Sequence, residues 1–264
     1  MDALPNRAEI QLALAVRKLG KPGFESAMLE VFRRIAAPDN LLVLAYRETG
    51  PPQVLYSQAV QSAVFAELEA TYLAGAYLLD PFYDLYLTQV SVGAYRLRDV
   101  APDAFKRSRY FIEYYDQTTL IDEVTFVAYP VPGVTINLCI GRDASSAQLF
   151  LPRELEACAR IAPIICALAE AHWAGLVSTA GPAEDLSVTL GRTLKSAHGI
   201  HLSPRQAAVA LLILRGHSTG SIASRLGVSP QTVKVFRKQL YGRCRLSSQA
   251  ELFALMLPLL KGAI

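Results

Sequence analysis

The chain is short of the residues on which catalysis and metal chemistry depend. It has only four cysteines and four histidines in 264 residues, with no Cys-x-x-Cys pair and no metal-ligand spacing. His172, His198, His201 and His217 fall at the ends of expected elements, remote in sequence from any nucleophile or carboxylate partner. No catalytic constellation follows, and the chain does not read as an enzyme. A glycine-rich phosphate loop is missing too, so no cofactor is implied. No apolar run reaches the length of a membrane span; the stretch around Pro163, IAPIICALA, is too short. The opening MDALPNRAEI lacks the basic-then-apolar order of a secretory signal. Three of the four cysteines sit in apolar runs, as buried thiols do, which suits a reducing compartment, so a cytoplasmic protein is expected. Charge is sparse at 19% against 52% hydrophobic residues, a balance that excludes a disordered chain.

That charge is unevenly placed. From Gly199 onward there are nine Lys or Arg residues and one acid, Glu251, whereas the rest holds 17 basic and 22 acidic residues. A basic C-terminal block on an acidic body reads as a polyanion-binding domain joined to one that avoids polyanions. Within the block, Ser203-Pro204 and Ser229-Pro230 both pair an N-cap residue with a proline at the first helical position. Gly216 and Gly227 are placed to end helices. The order helix, tight glycine turn, capped helix is that of a helix-turn-helix. In the last of these helices Val233, Phe236, Leu240 and Tyr241 form a packing stripe, and Gln231, Lys234, Val235 and Lys238 lie opposite, with Arg237 beside them.

These residues resemble the LuxR/FixJ-type (GerE) DNA-binding domain, a compact four-helix module. The resemblance runs through Leu202-Ser203-Pro204-Arg205, Gly216-His217-Ser218, Ile222-Ala223, Leu226-Gly227-Val228-Ser229, Thr232-Val233-Lys234, Leu240-Tyr241 and Leu246-Ser247-Ser248. This chain departs from the pattern at Gln206, Ser221, Phe236, Cys244 and Gln249. The resemblance implies that Lys234, Val235 and Lys238 face base edges, with Gln231 in the same stripe. It implies that Ser229, Thr232 and Arg237 hold phosphates.

The body reads as two helices (7–19 and 24–35), then the strand LLVLAYR with VLYS as its hairpin partner. Helices are expected over 57–79, from Pro81 and over 102–115, strands at VGAYRL, VTFVAYP and VTINLCIG, and a long helix over 151–173. The expected fold is an α/β (α+β) sensor domain, an antiparallel sheet flanked by helices, followed by the all-α helix-turn-helix domain. The boundaries are 1–177 for sensing, 178–198 as a linker with a loose helix from Asp185, and 199–264 for DNA binding. The pattern of the body resembles a GAF- or PAS-like domain. A phospho-receiver is not expected, because Asp122-Glu123 precede a strand instead of ending one.

YLLDP, 77–81, is similar to the Tyr…Asp-Pro region of acyl-homoserine-lactone-binding (autoinducer) domains, where the Asp accepts a hydrogen bond from a ligand amide. The Trp and Tyr of that pattern are replaced here by Glu67 and Thr71. Asp80 sits among tyrosines suited to a mostly apolar pocket, and Asp80, Tyr72, Tyr77, Tyr83, Tyr95 and Tyr115 are the candidate ligand residues. The expected function is a ligand-responsive transcription regulator reading an inverted repeat of double-stranded DNA as a homodimer, with RNA polymerase as a further partner. Leu252, Leu255 and Met256 of the final helix, or the helix around 161–168, are the expected dimer contacts. The alternative is a protein-interaction module whose N-terminal domain binds a partner protein and no small molecule.

Overall fold

A computed structural model describes residues 7–47, 50–178 and 185–261. Helices α1 (Ala8–Arg17) and α2 (Phe24–Ile35) precede strands β1 (Asn40–Arg47) and β2 (Gln53–Ala59). Short turns of 3-10 and π helix lead to α3 (Pro81–Leu87), β3 (Gly93–Arg96) and α4 (Leu97–Val100). After α5 (Arg109–Glu113) come β4 (Leu120–Val131), β5 (Val134–Asp143) and α6 (Pro152–His172). The chain closes with α7 (Leu186–His198), α8 (Pro204–Leu214), α9 (Thr219–Leu226), α10 (Pro230–Cys244) and α11 (Gln249–Lys261). Two compact units result, and they are not consecutive in sequence. One comprises Met1–Ala66, Asp84–Val100 and Thr119–Gly181; the other Glu67–Tyr83, Ala101–Thr118 and Pro182–Ile264.

The first unit holds a five-stranded antiparallel sheet in the order β2-β1-β5-β4-β3. One sheet face meets α1, α2 and α6: Phe24, Met28 and Phe32 of α2 and Ile161 and Ile165 of α6 pack with Leu41, Val43, Phe126, Ile136, Leu138 and Ile140. Burial of each such side chain contributes about 1.5–3 kcal/mol. His172, at the end of α6, stacks on Phe24 at 4.0 Å, and its Nδ1 accepts the Gly20 N–H at 3.0 Å. The strand β5 is buried at all its positions, so its second row, Thr135, Asn137 and Cys139, is covered as well as its first. Asp122 lies within β4, where it pairs with Arg96 at 2.6 Å and accepts the Phe150 N–H. It braces the fold.

Two expected helices are broken. Over 57–79 the chain is strand to Ala59, then a 3-10 turn (Ser62–Phe65), a π turn (Leu68–Leu73) and a 3-10 turn (Ala76–Leu79). Gly75 has φ 139°, outside any helix, and the four residues after it are all buried. An amphipathic helix buries one stripe and cannot bury four consecutive side chains against one surface. Over 102–115 the break is Ser108, which is extended and caps α5 by accepting the Phe111 N–H.

In the second unit α7 is a firm helix: Asp185 caps it, Gly199 ends it at φ 66°, and Leu190 and Leu194 are fully buried. Residues 179–184 of the expected linker lie outside the described residues. Ser203 and Gln206 exchange hydrogen bonds in a capping box at the start of α8, so Gln206 does there what a glutamate would. Leu252 and Met256 are fully buried, as are Ile161 and Ile165 in the first unit. Leu252, Met256, Ile161 and Ile165 are thereby removed as dimer contacts, because the protein's own core consumes them, whereas Leu255 is half-buried and Ile164, on the same long helix as Ile161 and Ile165, is 49% exposed. Among the described residues no helix is long and apolar enough to cross a membrane.

Candidate nucleic-acid interface and buried polar cluster

The helix pair α9 and α10 meets through Gly227, whose φ of 64° lets its N–H return to the carbonyls of Ala223 and Ser224. Ser229 then caps α10: its Oγ accepts the Thr232 N–H at 3.0 Å and lies 2.8 Å from Thr232 Oγ1. Val233, Leu240 and Cys244 face inward, and Phe236 and Tyr241 are half-buried beside them. Gln231, Lys234, Val235 and Lys238 are all exposed on one side of α10. Val235 is 44% exposed, an apolar side chain held out among lysines, as a base-methyl contact would require. Arg237 is half-buried and donates to Thr219 Oγ1 at 3.2 Å, tying α10 to the start of α9. Gln206 donates to Gln239, bracing α8 on α10, and Gln249 donates to the Ile213 carbonyl at 3.2 Å. Ser221 Oγ lies 2.8 Å from His217 Nδ1. Of the residues that depart from the LuxR pattern, Gln206, Ser221 and Gln249 thus keep bracing hydrogen bonds.

Asp80 sits at the start of α3, half-buried. Tyr72 donates to its carboxylate at 2.8 Å and the Phe82 N–H at 2.7 Å, and Tyr110 adds a third hydrogen bond. Burial pushes the carboxyl up to about 6, although these three donors lower it. Tyr72 stacks on Tyr114 at 5.7 Å and touches Tyr77, which meets Tyr83 edge-on at 5.2 Å. Tyr115 joins through Phe105, which also touches Tyr110. Tyr95 lies in the other unit, on β3, with its hydroxyl bonded to the Ser91 carbonyl. Tyr72, Tyr77, Tyr83 and Tyr115 are therefore gathered near Asp80, and Tyr95 is not one of that group.

Two residues of interest were not singled out from sequence. Tyr110 reaches Asp80, and its spacing of four from Tyr114 was the available signal. Asn137 is fully buried in β5, and neither atom of its amide has a hydrogen-bond partner among the described residues. Its cross-strand neighbours are Leu44 and Val127, with Thr135 and Cys139 two residues away on the same face. Native chains rarely leave a buried amide so, because an unmade hydrogen bond costs about 1–3 kcal/mol. Strand alternation put Asn137 opposite the Ile136–Leu138 face; only the second covering layer made it buried. Among the described residues no group of His, Cys, Asp and Glu side chains could hold a metal ion.

Residues 201–256 match the family of bacterial regulatory proteins, luxR family. A relative from Aeromonas salmonicida, assigned as an HTH-type transcriptional regulator in the exeN 3' region, is 32% identical over 184 residues. That match spans 67% of this chain and 93% of the relative, so it extends well outside the helix-turn-helix. The VqsR LBD domain from Pseudomonas aeruginosa has a similar fold, with TM-score 0.54 and 21% identity over 63% of this chain and 95% of that one. Escherichia coli SdiA aligns over 96% of this chain and 97% of its own at 16% identity and TM-score 0.43. A helix-turn-helix with a lysine face, the family match and a similarity that spans 93% of the relative lead to one conclusion: the chain belongs to the luxR family of bacterial transcription regulators, and is not an enzyme.

Proposed function

We propose that this regulator responds to a small molecule and reads an inverted DNA repeat as a homodimer. The sensing role is assigned to residues within 1–177 and DNA binding to 199–264, with α7, from the segment 178–198, packed into the same compact unit as the helix-turn-helix. Lys234, Val235 and Lys238, with Gln231 beside them, read base edges, because they are the exposed side chains of one α10 face. Ser229, Thr232 and Arg237 hold phosphates, the Ser and Thr through hydroxyls at the positive end of the helix. One recognition helix reads too few base pairs to find a site in a genome, and two-fold pairing supplies the rest. Once bound at a promoter, the regulator acts with RNA polymerase as its further partner.

The observation that carries the sensing proposal is the Asn137 amide, buried with neither its donor nor its acceptor satisfied among the described residues. A mostly apolar molecule with one or two polar groups would meet it. Asp80, with Tyr72, Tyr77, Tyr83 and Tyr115 around it in the other unit, is proposed separately as a ligand acceptor, and Tyr95 is a further candidate in the unit of Asn137. The likeness to the VqsR LBD domain supports a sensing role. The test is a metabolite library screened by thermal shift on the full chain, with native mass spectrometry of protein purified from its host. A bound or stabilising compound that also alters operator affinity supports sensing. No stabilising compound and nothing co-purified would transfer the role of residues 1–177 to a partner protein.

A further inference from the structure

A cavity of about 310 Å³ opens beside the start of α9. Thr219, His217 and Arg237 of the helix-turn-helix line it, and so do Ala104 and Arg107, which lie outside that motif. All of these residues belong to one compact unit. The 104–107 turn is anchored there by two hydrogen bonds: the Ala104 N–H donates to the Gly216 carbonyl at 3.0 Å, and Asp103 accepts the Ser218 N–H at 2.9 Å. A Cβ on Gly216 would stand 3.0 Å from Phe105 Cα, so the approach is close and the turn is well seated. Two guanidiniums thus line one cavity, and among the described residues no carboxylate lines it, the nearby Asp103 carboxylate being held on the Ser218 N–H. Neither Arg107 nor Arg237 makes an ion pair among the described residues, and Arg107 is exposed.

We infer that this cavity binds a phosphate group, with Arg107 as a ligand supplied from outside the helix-turn-helix. Guanidiniums present paired N–H donors that match phosphate oxygens, and two of them, with the Thr219 hydroxyl that Arg237 already touches, supply what one phosphate takes. The first amides of α9 add a favourable field. The phosphate is either a phosphodiester of the DNA backbone or that of a free phosphorylated molecule. The inference rests on the DNA-binding reading only in its first arm.

The test uses the full chain and the variants Arg107→Gln, Arg107→Lys and Lys106→Gln. Lys106 is exposed beside Arg107 but does not line the cavity, so it controls for net charge. Operator binding is followed by fluorescence anisotropy across a salt series. If the phosphate is DNA's, Arg107→Gln weakens cognate and random DNA alike, by roughly threefold to tenfold, and flattens the log–log salt slope by about one. Arg107→Lys then retains more affinity than Arg107→Gln, and Lys106→Gln leaves the slope within half of that change. In the second arm, inorganic phosphate and pyrophosphate are compared with chloride at equal ionic strength by thermal shift. A free phosphate ligand raises the wild-type melting temperature, and Arg107→Gln abolishes the rise while leaving operator binding unchanged. A selective loss in either arm supports the site. No change in both arms, a gain of DNA affinity in Arg107→Gln, or equal losses for Lys106→Gln would overturn it. Wild-type protein that binds no DNA would strike the DNA reading, and the phosphate arm would then decide alone.

Discussion

Asp80 is half-buried and Asn137 fully buried, and these two polar side chains make opposite forecasts. Asp80 has three donors, yet burial still lifts its carboxyl to about 6 from 3.8. A carboxyl with a raised pKa takes its proton more readily folded than unfolded. Its contribution to stability is therefore full below about pH 4 and is lost as pH rises to about 6, a total of roughly 2–3 kcal/mol. Asp80→Asn should remove that loss: melting temperatures from pH 4 to 8 should fall for the wild type and stay flatter for the variant. A variant less stable by the same amount at every pH would show that the hydrogen bonds outweigh desolvation. Asn137→Leu, nearly isosteric, exchanges an unsatisfied amide for apolar contact. It should raise ligand-free stability by about 1–2 kcal/mol in urea unfolding. The same variant should lose any ligand-induced melting shift; a shift of unchanged size would remove Asn137 from the ligand site.

At the scale of elements, the two glycine turns flanking α9 differ in what surrounds them. A Cβ at Gly227 would meet nothing within 4 Å, whereas at Gly216 it would press on Phe105 and Ser108 at 3.0 Å. Both glycines have positive φ. Gly227→Ala should then cost about 1 kcal/mol, from backbone strain alone, and Gly216→Ala about 2–4 kcal/mol, from strain plus overpacking. Equal costs by thermal melting would mean that the 104–107 turn moves aside freely. On α10, Lys238→Ala should cost about 1–3 kcal/mol on the operator and much less on random DNA, measured by anisotropy. The same loss on both would make Lys238 a phosphate contact.

For the whole molecule, the proposed pairing sets a stoichiometry and a salt dependence. Two chains per operator should appear by ultracentrifugation with labelled DNA, on half-sites about one helical turn apart. With roughly four to six phosphates neutralised per protomer, the slope of log K against log salt should be near −4 to −5 for each chain and about twice that for the dimer. A single chain bound at full affinity would refute the pairing. The dimer contact must come from surface other than Leu252, Met256, Ile161 and Ile165, which lie in the protein's own cores.

Local signals determined much of this protein without help. Capping residues, glycine turns and the basic stripe of α10 act over three or four residues, so the helix-turn-helix and its exposed Gln231, Lys234, Val235 and Lys238 could be read directly. The strands were legible for the same reason, since alternation and turn chemistry are local. What the sequence could not decide depends on which surfaces meet. The alanine-rich 57–79 stretch favours a helix by propensity, but burying Ala76 to Leu79 in succession breaks it into turns. Asn137 is an ordinary strand residue until a second layer covers its face, and Tyr110 becomes a partner of Asp80 only through packing. Grouping of 67–83 and 101–118 with the C-terminal helices has no local code at all. Contacts between segments distant in sequence are set by complementary shape and burial, and only the tertiary structure holds that information.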